Sequence, residues 1–283
     1  MTDMRAGSMQ PANDSLAEDL NFLAPYEVDS LIRVGRSHDG GYVIPEPCAR
    51  AVDTLVSFGV STDWSFEEHF RRLNPRIALQ TYDHTVSERI FRRRFERGLV
   101  KLALGRLSPR ELSARFALWR AFRAFQVGGA EHFEERICGR PERERDATLD
   151  KVFGRTESSH VFLKIDIEGS EYGIIDDILR YADRIRGIVI EFHDTDKLRE
   201  VFCHAVKTLQ RCFEIVHVHG NNFGPVGRDD LPDVLEITFV EKGRAQGRAK
   251  RTTLPIAALD SPNNPAHEDY EMRFRLAGAT ARG

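Results

Sequence analysis

Three stretches of this sequence carry charged and imidazole groups where apolar neighbours would ordinarily exclude them. In HVFLKIDIEGSEYGIIDDIL, Val161, Leu163, Ile165 and Ile167 share one parity of an extended run, while Phe162, Lys164, Asp166 and Glu168 share the other. Burying Lys164, Asp166 and Glu168 in a two-sided sheet costs on the order of several kcal/mol each unless they are paired or at work. GIVIEFHD ends in Glu191, His193 and Asp194, and EIVHVHGNN ends in His217, His219, Asn221 and Asn222. One strand-end histidine is more often a satisfied structural residue, but three consecutive runs ending this way point to one shared cleft. Two carboxylates with imidazoles suit a divalent cation held by Asp166, Glu191 and His193, with His219 as a further ligand. Oxygen and imidazole donors without thiolate favour Mg or Mn. In a metal-free version of the same site His193 is the general base, Asp166 its orienter and His219 the second choice of base, with Lys164 compensating the carboxylates.

A second group of residues suits a nucleotide. After TLVSF comes the small-residue turn Gly59-Val60-Ser61-Thr62-Asp63, which lets backbone amides approach a ligand before a helix begins near Ser65. After IALQTY comes Asp83, at the spacing where a Rossmann-type site sets a carboxylate against ribose hydroxyls. The competing reading of Asp83 is a turn or N-cap residue, since Asp-His-Thr is good loop chemistry.

The elements that must position these groups alternate short β-branched or aromatic runs with longer helical patterns from residue 52 onward. That alternation marks βαβ units, an α/β fold and a mostly parallel sheet. Seven strands are predicted, at 54–58, 77–82, 132–137, 161–166, 187–192, 213–219 and 235–240. In an open parallel sheet ligands bind beyond the carboxyl ends of the strands, where the unusual residues fall. Between Glu88 and Arg123 an arginine-rich segment with Phe91, Phe95, Leu99, Leu102, Phe116 and Trp119 at helical spacing reads as two basic amphipathic helices broken near Ser108-Pro109. Its arginines are either simply solvated or form a docking surface for an anionic glycan, a lipid-linked sugar or a membrane face. Residues 1–18 read as a flexible tail and 19–283 as a single domain. Lys242–Arg251 reads as a basic loop, and the Pro- and Asn-rich end as an irregular wrap.

Composition excludes several classes. With 283 residues, 41% hydrophobic and 30% charged, the chain can bury a core without disulfides or structural metal. Cys48, Cys138, Cys203 and Cys212 are scattered, signalling neither a zinc site nor a disulfide framework. A net charge of -3 argues against a general nucleic-acid binder. With no signal-peptide core and no apolar run of spanning length, a cytoplasmic protein is expected.

LKIDIEGSEYGII resembles the signature of FkbM-type methyltransferases, in which a strand ends in Lys-Ile-Asp-Val/Ile-Glu-Gly before a helix with an acidic and an aromatic residue. The order of RVGRSHDGGYVI, SFGVSTDWSFE, TYDHT, ATLDKVF, EFHD, HVHGNN and LPIAALDSPNNP is also similar to that family, from about 31 to 270 but without the basic insertion at about 88–125. The resemblance implies a Rossmann-like class I methyltransferase: seven strands, the last antiparallel, helices on both faces, and the basic helical insertion. It implies S-adenosylmethionine across the first two strands and an oxygen acceptor at the later ones, in many relatives a hydroxyl of a sugar, polysaccharide or glycolipid. Gly59, Ser61 and Asp63 fall at the first-strand turn beside the cofactor's methionine part, Asp83 at the ribose, and Asp39, Gly40 and Gly41 in a segment that helps close the site. The turn FGVSTD departs from the family in having fewer glycines. A metal-assisted hydrolase using the same Asp, Glu and His cluster, and a non-catalytic binding domain, are the competing classes.

Overall fold

The computed structural model describes residues 16–245 and 248–276. Its strands are β1 Leu31–Val34, β2 Tyr42–Pro45, β3 Thr54–Phe58, β4 Ala78–Tyr82, β5 Ala130–Phe133, β6 Arg136–Ile137, β7 Asp146–Ala147, β8 Val161–Ile165, β9 Ile185–Phe192, β10 Phe213–Gly220, β11 Leu235–Glu241, β12 Thr253–Leu254 and β13 Met272–Arg273. The helices are α1 Glu46–Ala51, α2 Ser65–Leu73, α3 Glu88–Ala103, α4 Pro109–Val127, α5 Leu149–Phe153, α6 Ile175–Arg180 and α7 Arg199–Leu209, with short 3-10 turns between.

Seven strands form one sheet in the order β10-β11-β9-β8-β3-β4-β5. β3 pairs in parallel with β4 and β8, β4 with β5, and β8 with β9, whereas β11 runs antiparallel to both β9 and β10. Strands buried on both faces need near-continuous apolar sequence, and β3, β8, β9 and β11 have it. One face packs Leu149, Val152, Ile178, Phe202 and Leu209 of α5, α6 and α7 against the sheet. The other packs Ala49, Phe66, Phe70 and the β1–β2 hairpin residues Val34, Tyr42 and Ile44. This is the Rossmann-like class I architecture, with helices on both faces and one antiparallel strand.

Three sequence expectations need adjustment. The strand expected at 132–137 ends at Phe133. The chain leaves the sheet where Glu134 and Glu135 interrupt the apolar run, and Glu135 is taken by Arg155 at 2.6 and 2.9 Å. Ordered packing begins before residue 18: Leu16, Leu20 and Leu23 are buried, and the Leu16 N–H donates to the Arg273 carbonyl at 2.9 Å. Of the expected flexible tail, 1–15 lie outside the described residues, as do 246–247 of the basic loop. The β1–β2 pair was not foreseen. The two basic helices were, with Ser108 and Glu111 closing a capping box at the start of α4.

Candidate active site

The carboxyl ends of β3, β4 and β8 line a cleft of about 350 Å³, walled by Gly59, Ser61, Asp83, Arg136, Asp166 and Glu168 among others. That volume lies at the lower end of the range for small-molecule sites. Gly59 has φ +75°, and a Cβ there would lie 1.6 Å from the Asp166 carbonyl oxygen, so only glycine lets the first turn pass this close to β8. The Ser61 N–H donates to Asp83 Oδ2 at 2.7 Å, and Asp83 Oδ1 accepts from the Thr85 N–H at 2.7 Å and its hydroxyl at 2.6 Å. Asp83 therefore fills both of its readings, turn former and wall of the cleft. Its carboxylate at the second strand end fits a ribose, and the turn at Gly59 and Ser61 fits a close-lying cofactor.

Asp39, Gly40 and Asp63 were expected on the cofactor side. None lines this cleft. Asp63 accepts from the Ser65 N–H at 3.0 Å at the start of α2 and pairs with Arg36 at 3.1 Å. A Cβ on Gly40, whose φ is +82°, would come within 2.4 Å of Asp63 Oδ2. Partial removal from water, then the charges of Glu236, Asp166 and Asp63, push the Asp39 carboxyl above the ordinary carboxylate range, against a lowering hydrogen bond from Asn263. The Asp39–Gly41 loop lies between the turn that carries Asp63 and the acidic strand ends of Asp166 and Glu236.

Next to the cleft, and sharing Asp166 with it, ligand atoms of Asp166, Glu191 and His193 lie within 4.8 Å of one another. β8 and β9 are hydrogen-bonded neighbours, which brings these strand ends together. The Tyr42 hydroxyl donates to Glu191 Oε2 at 3.0 Å and lies 3.3 Å from Asp166 Oδ2, while Asn221 Nδ2 donates to Glu191 Oε1 at 3.0 Å. Lys164 Nζ donates to the Gly59 carbonyl at 2.8 Å and sits 3.5 Å from Asp166 Oδ2, joining the Gly59 turn to the cluster. Burial, followed by the charges of Asp166 and Glu236, raises the Glu191 carboxyl well above its usual range.

His193 is held from behind. Glu171, fully buried, accepts the His193 main-chain N–H at 2.8 Å and lies 3.2 Å from Nδ1 through the same oxygen; its other oxygen takes the Gly169 N–H at 2.8 Å. Nε2 is left toward the cluster, 3.6 Å from Glu191 Oε1. Burial pulls the ring's pKa down, but Glu171, Glu191 and Asp166 outweigh it and raise the pKa to about 9. These carboxylates favour the protonated ring, whereas a cation in the same place would favour the neutral one.

His219 does not join the cluster. β11 lies between β9 and β10, so at about 4.8 Å per strand β10 stands two spacings from β9. The intervening register partner is Glu236, opposite Glu191 on one side and His219 on the other. Both ring nitrogens of His219 are taken, Nδ1 by Glu236 at 3.1 Å and Nε2 by Asp269 at 3.0 Å, leaving none for a metal or a proton acceptor. His217 is paired likewise with Asp260 at 3.1 Å. Tyr42, Glu171 and Glu236 were the residues sequence reasoning missed. Glu236 had a signal, a lone acid in the apolar run LEITFV, and Glu171 stood in the quoted motif without a role.

Residues 118–217 match the family model described as the methyltransferase FkbM domain, a span holding Asp166, Glu191 and His193 but not Gly59, Ser61 or Asp83. Among solved structures, the chain is similar to precorrin-6y C5,15-methyltransferase from Geobacter metallireducens GS-15, at 14% identity over 70% of this chain and 85% of that one, with a TM-score of 0.35. It is also similar to the Methanococcus jannaschii fibrillarin pre-rRNA processing protein, at 11% identity over 69% of each chain, TM-score 0.37. No curated protein matches it in sequence. The sheet order and the strand-end cleft define a class I methyltransferase fold. Within that class the match over residues 118–217 agrees with the resemblance that the motifs carry, and a methyltransferase domain of that family implies S-adenosylmethionine as methyl donor.

Proposed function

We propose that this protein transfers a methyl group from S-adenosylmethionine to a hydroxyl of a sugar, polysaccharide or glycolipid acceptor, assisted by a divalent cation at Asp166, Glu191 and His193. The observation that carries this reading is the continuity of the two sites: Asp166 walls the cofactor cleft and is also a member of the cation cluster. Two carboxylates and one imidazole, with no thiol among them, are the donor set of Mg or Mn. When bound, such a cation supplies the acidity that makes a hydroxyl nucleophilic near neutral pH.

The chain's own residues do the positioning. Glu171 fixes the ring of His193 with Nε2 forward, a carboxylate behind a ligating imidazole being the usual means of orienting it. Tyr42 and Asn221 hold Glu191, one on each oxygen. Lys164 balances Asp166 and ties it to the Gly59 turn, so donor and acceptor sides are set relative to each other before either is filled.

The test is transfer of labelled methyl from S-adenosylmethionine to extracted cell-surface glycans, run with chelator and with Mg or Mn restored. Turnover should stop in chelator and return with metal. Full turnover in chelator, with no metal by elemental analysis, would remove the cation. A chain not stabilised by S-adenosylhomocysteine would remove the transferase reading itself.

A further inference from the structure

The α3–α4 hairpin is rooted at one end only. Near its base Phe91, Phe122 and Phe125 pack around Trp64, with ring centroids 5.5 Å apart for Trp64–Phe122 and 5.6 Å for Trp64–Phe125. Towards the turn at 104–108 the two helices pack on each other through Phe95, Phe116 and Trp119, and Gly98 lies against Leu112. There Leu99 is 46% exposed, Val100 61% and Leu104 61%, three apolar side chains that no other described part of the chain covers.

Around them the charge is one-sided. Residues 88–127 hold ten arginines and one lysine against three glutamates, a net +8 in a chain whose total is -3, so the remainder carries -11. Three pairs tie arginines of the hairpin to carboxylates: Arg92–Glu96, Arg123–Glu88 and Arg89–Glu134. None of Arg93, Arg94, Arg97, Lys101, Arg106 or Arg110 forms such a pair among the described residues. Two basic helices with uncovered leucine and valine at their joined end, on an otherwise acidic protein, have the charge and apolar pattern of a surface that lies in a bilayer interface. No described helix is long and apolar enough to cross a membrane. A polyanionic glycan would account for the arginines but gains nothing from exposed Leu99, Val100 and Leu104.

From this pattern we propose that the hairpin is a peripheral docking surface for a bilayer containing anionic lipid, its basic residues at the headgroups and its apolar end among them. The proposal is independent of the methyl acceptor, since it is read as binding.

The test is flotation of the full chain with vesicles of phosphatidylcholine alone or mixed equally with phosphatidylglycerol. Binding is expected only to the anionic vesicles, with release at about 1 M salt, where the screening length falls to about 3 Å. The triple variant Arg93→Glu, Arg94→Glu, Arg97→Glu should weaken partition by about a hundredfold or more. A second triple variant, Leu99→Ser, Val100→Ser, Leu104→Ser, should weaken it by about tenfold while leaving retention on dextran sulfate unchanged. S-adenosylhomocysteine affinity retained in both shows that they fold. Failure of wild type to float with anionic vesicles, or full vesicle binding by the serine variant, would overturn the proposal, the latter leaving a surface for polyanions only.

Discussion

Removing His219 should destabilise the protein in a pH-dependent way that a catalytic histidine would not show. Its ring is buried between Glu236 and Asp269, and although burial lowers its pKa, hydrogen bonds to those carboxylates and the charges of Glu236 and Asp260 raise it to about 10. A free histidine titrates near 6.5, so between that pH and about 10 the folded chain holds a proton that the unfolded chain has lost. The resulting stability is fully present below pH 6.5 and is lost as pH rises through 10. At about 1.4 kcal/mol per pKa unit the whole contribution has an upper bound of about 5 kcal/mol, of which about 2 should disappear between pH 6.5 and 8. His219→Gln should cost about 3–5 kcal/mol at pH 6.5, because it leaves Glu236 buried without its cation. The assay is urea unfolding of wild type and variant from pH 6 to 10, followed by the fluorescence of Trp64 and Trp119. His193, raised to about 9, contributes in the same direction to both proteins, so the difference between the two profiles isolates His219. Parallel profiles, or a variant within about 1 kcal/mol of wild type at pH 6.5, would refute the buried-cation account.

Asp83→Ala should weaken S-adenosylhomocysteine binding by about tenfold to a hundredfold in calorimetry, about 1.4–2.8 kcal/mol, while the sheet stays folded; unchanged affinity would take Asp83 out of the site. Glu171→Gln should lower Mn affinity by about tenfold to a hundredfold, read by electron paramagnetic resonance, without changing S-adenosylhomocysteine affinity. Unaltered Mn binding would mean that His193 needs no orienting. Gly59→Ala should damage both readouts together, since the added methyl group falls on the Asp166 carbonyl oxygen at 1.6 Å and must displace β3 from β8.

Much of this site was legible because its information is local. A strand buried on both faces tolerates Asp166, Glu191 or His193 only at its end, so each could be placed from its own dozen residues. Gly59 and Asp83 followed in the same way from a turn and a spacing. The position of β11 was not local information. LEITFVE says strand, but its insertion between β9 and β10 is decided by pairing with runs ending 43 and 15 residues earlier, at Phe192 and Gly220. That one insertion turned His219 from a neighbour of Glu191 into the partner of Glu236. Tyr42 was hidden for a related reason: it lies 149 residues from Glu191 in sequence and reaches it only because the β1–β2 hairpin crosses the sheet face. Asp63 stands one residue before Trp64, the N-cap of α2, and its carboxylate also takes the Ser65 N–H, a second use that the sequence did not suggest.

The partners of His219 lie 17 and 50 residues after it, which gives the protein a timetable. A ribosome delivers Gly59, Ser61 and Asp83 early, and the carboxylate of Asp269 only near the end of the described chain. At about 5–20 residues per second Asp83 precedes Asp269 by roughly ten to forty seconds. Late in that interval β10, ending at Gly220, has no strand to join until β11, ending at Glu241, is made and enters between it and β9. The nascent chain therefore carries a gap in its sheet, flanked by histidines awaiting their acids. β11 closes that gap, and only when Asp269 follows does His219 gain its second acid.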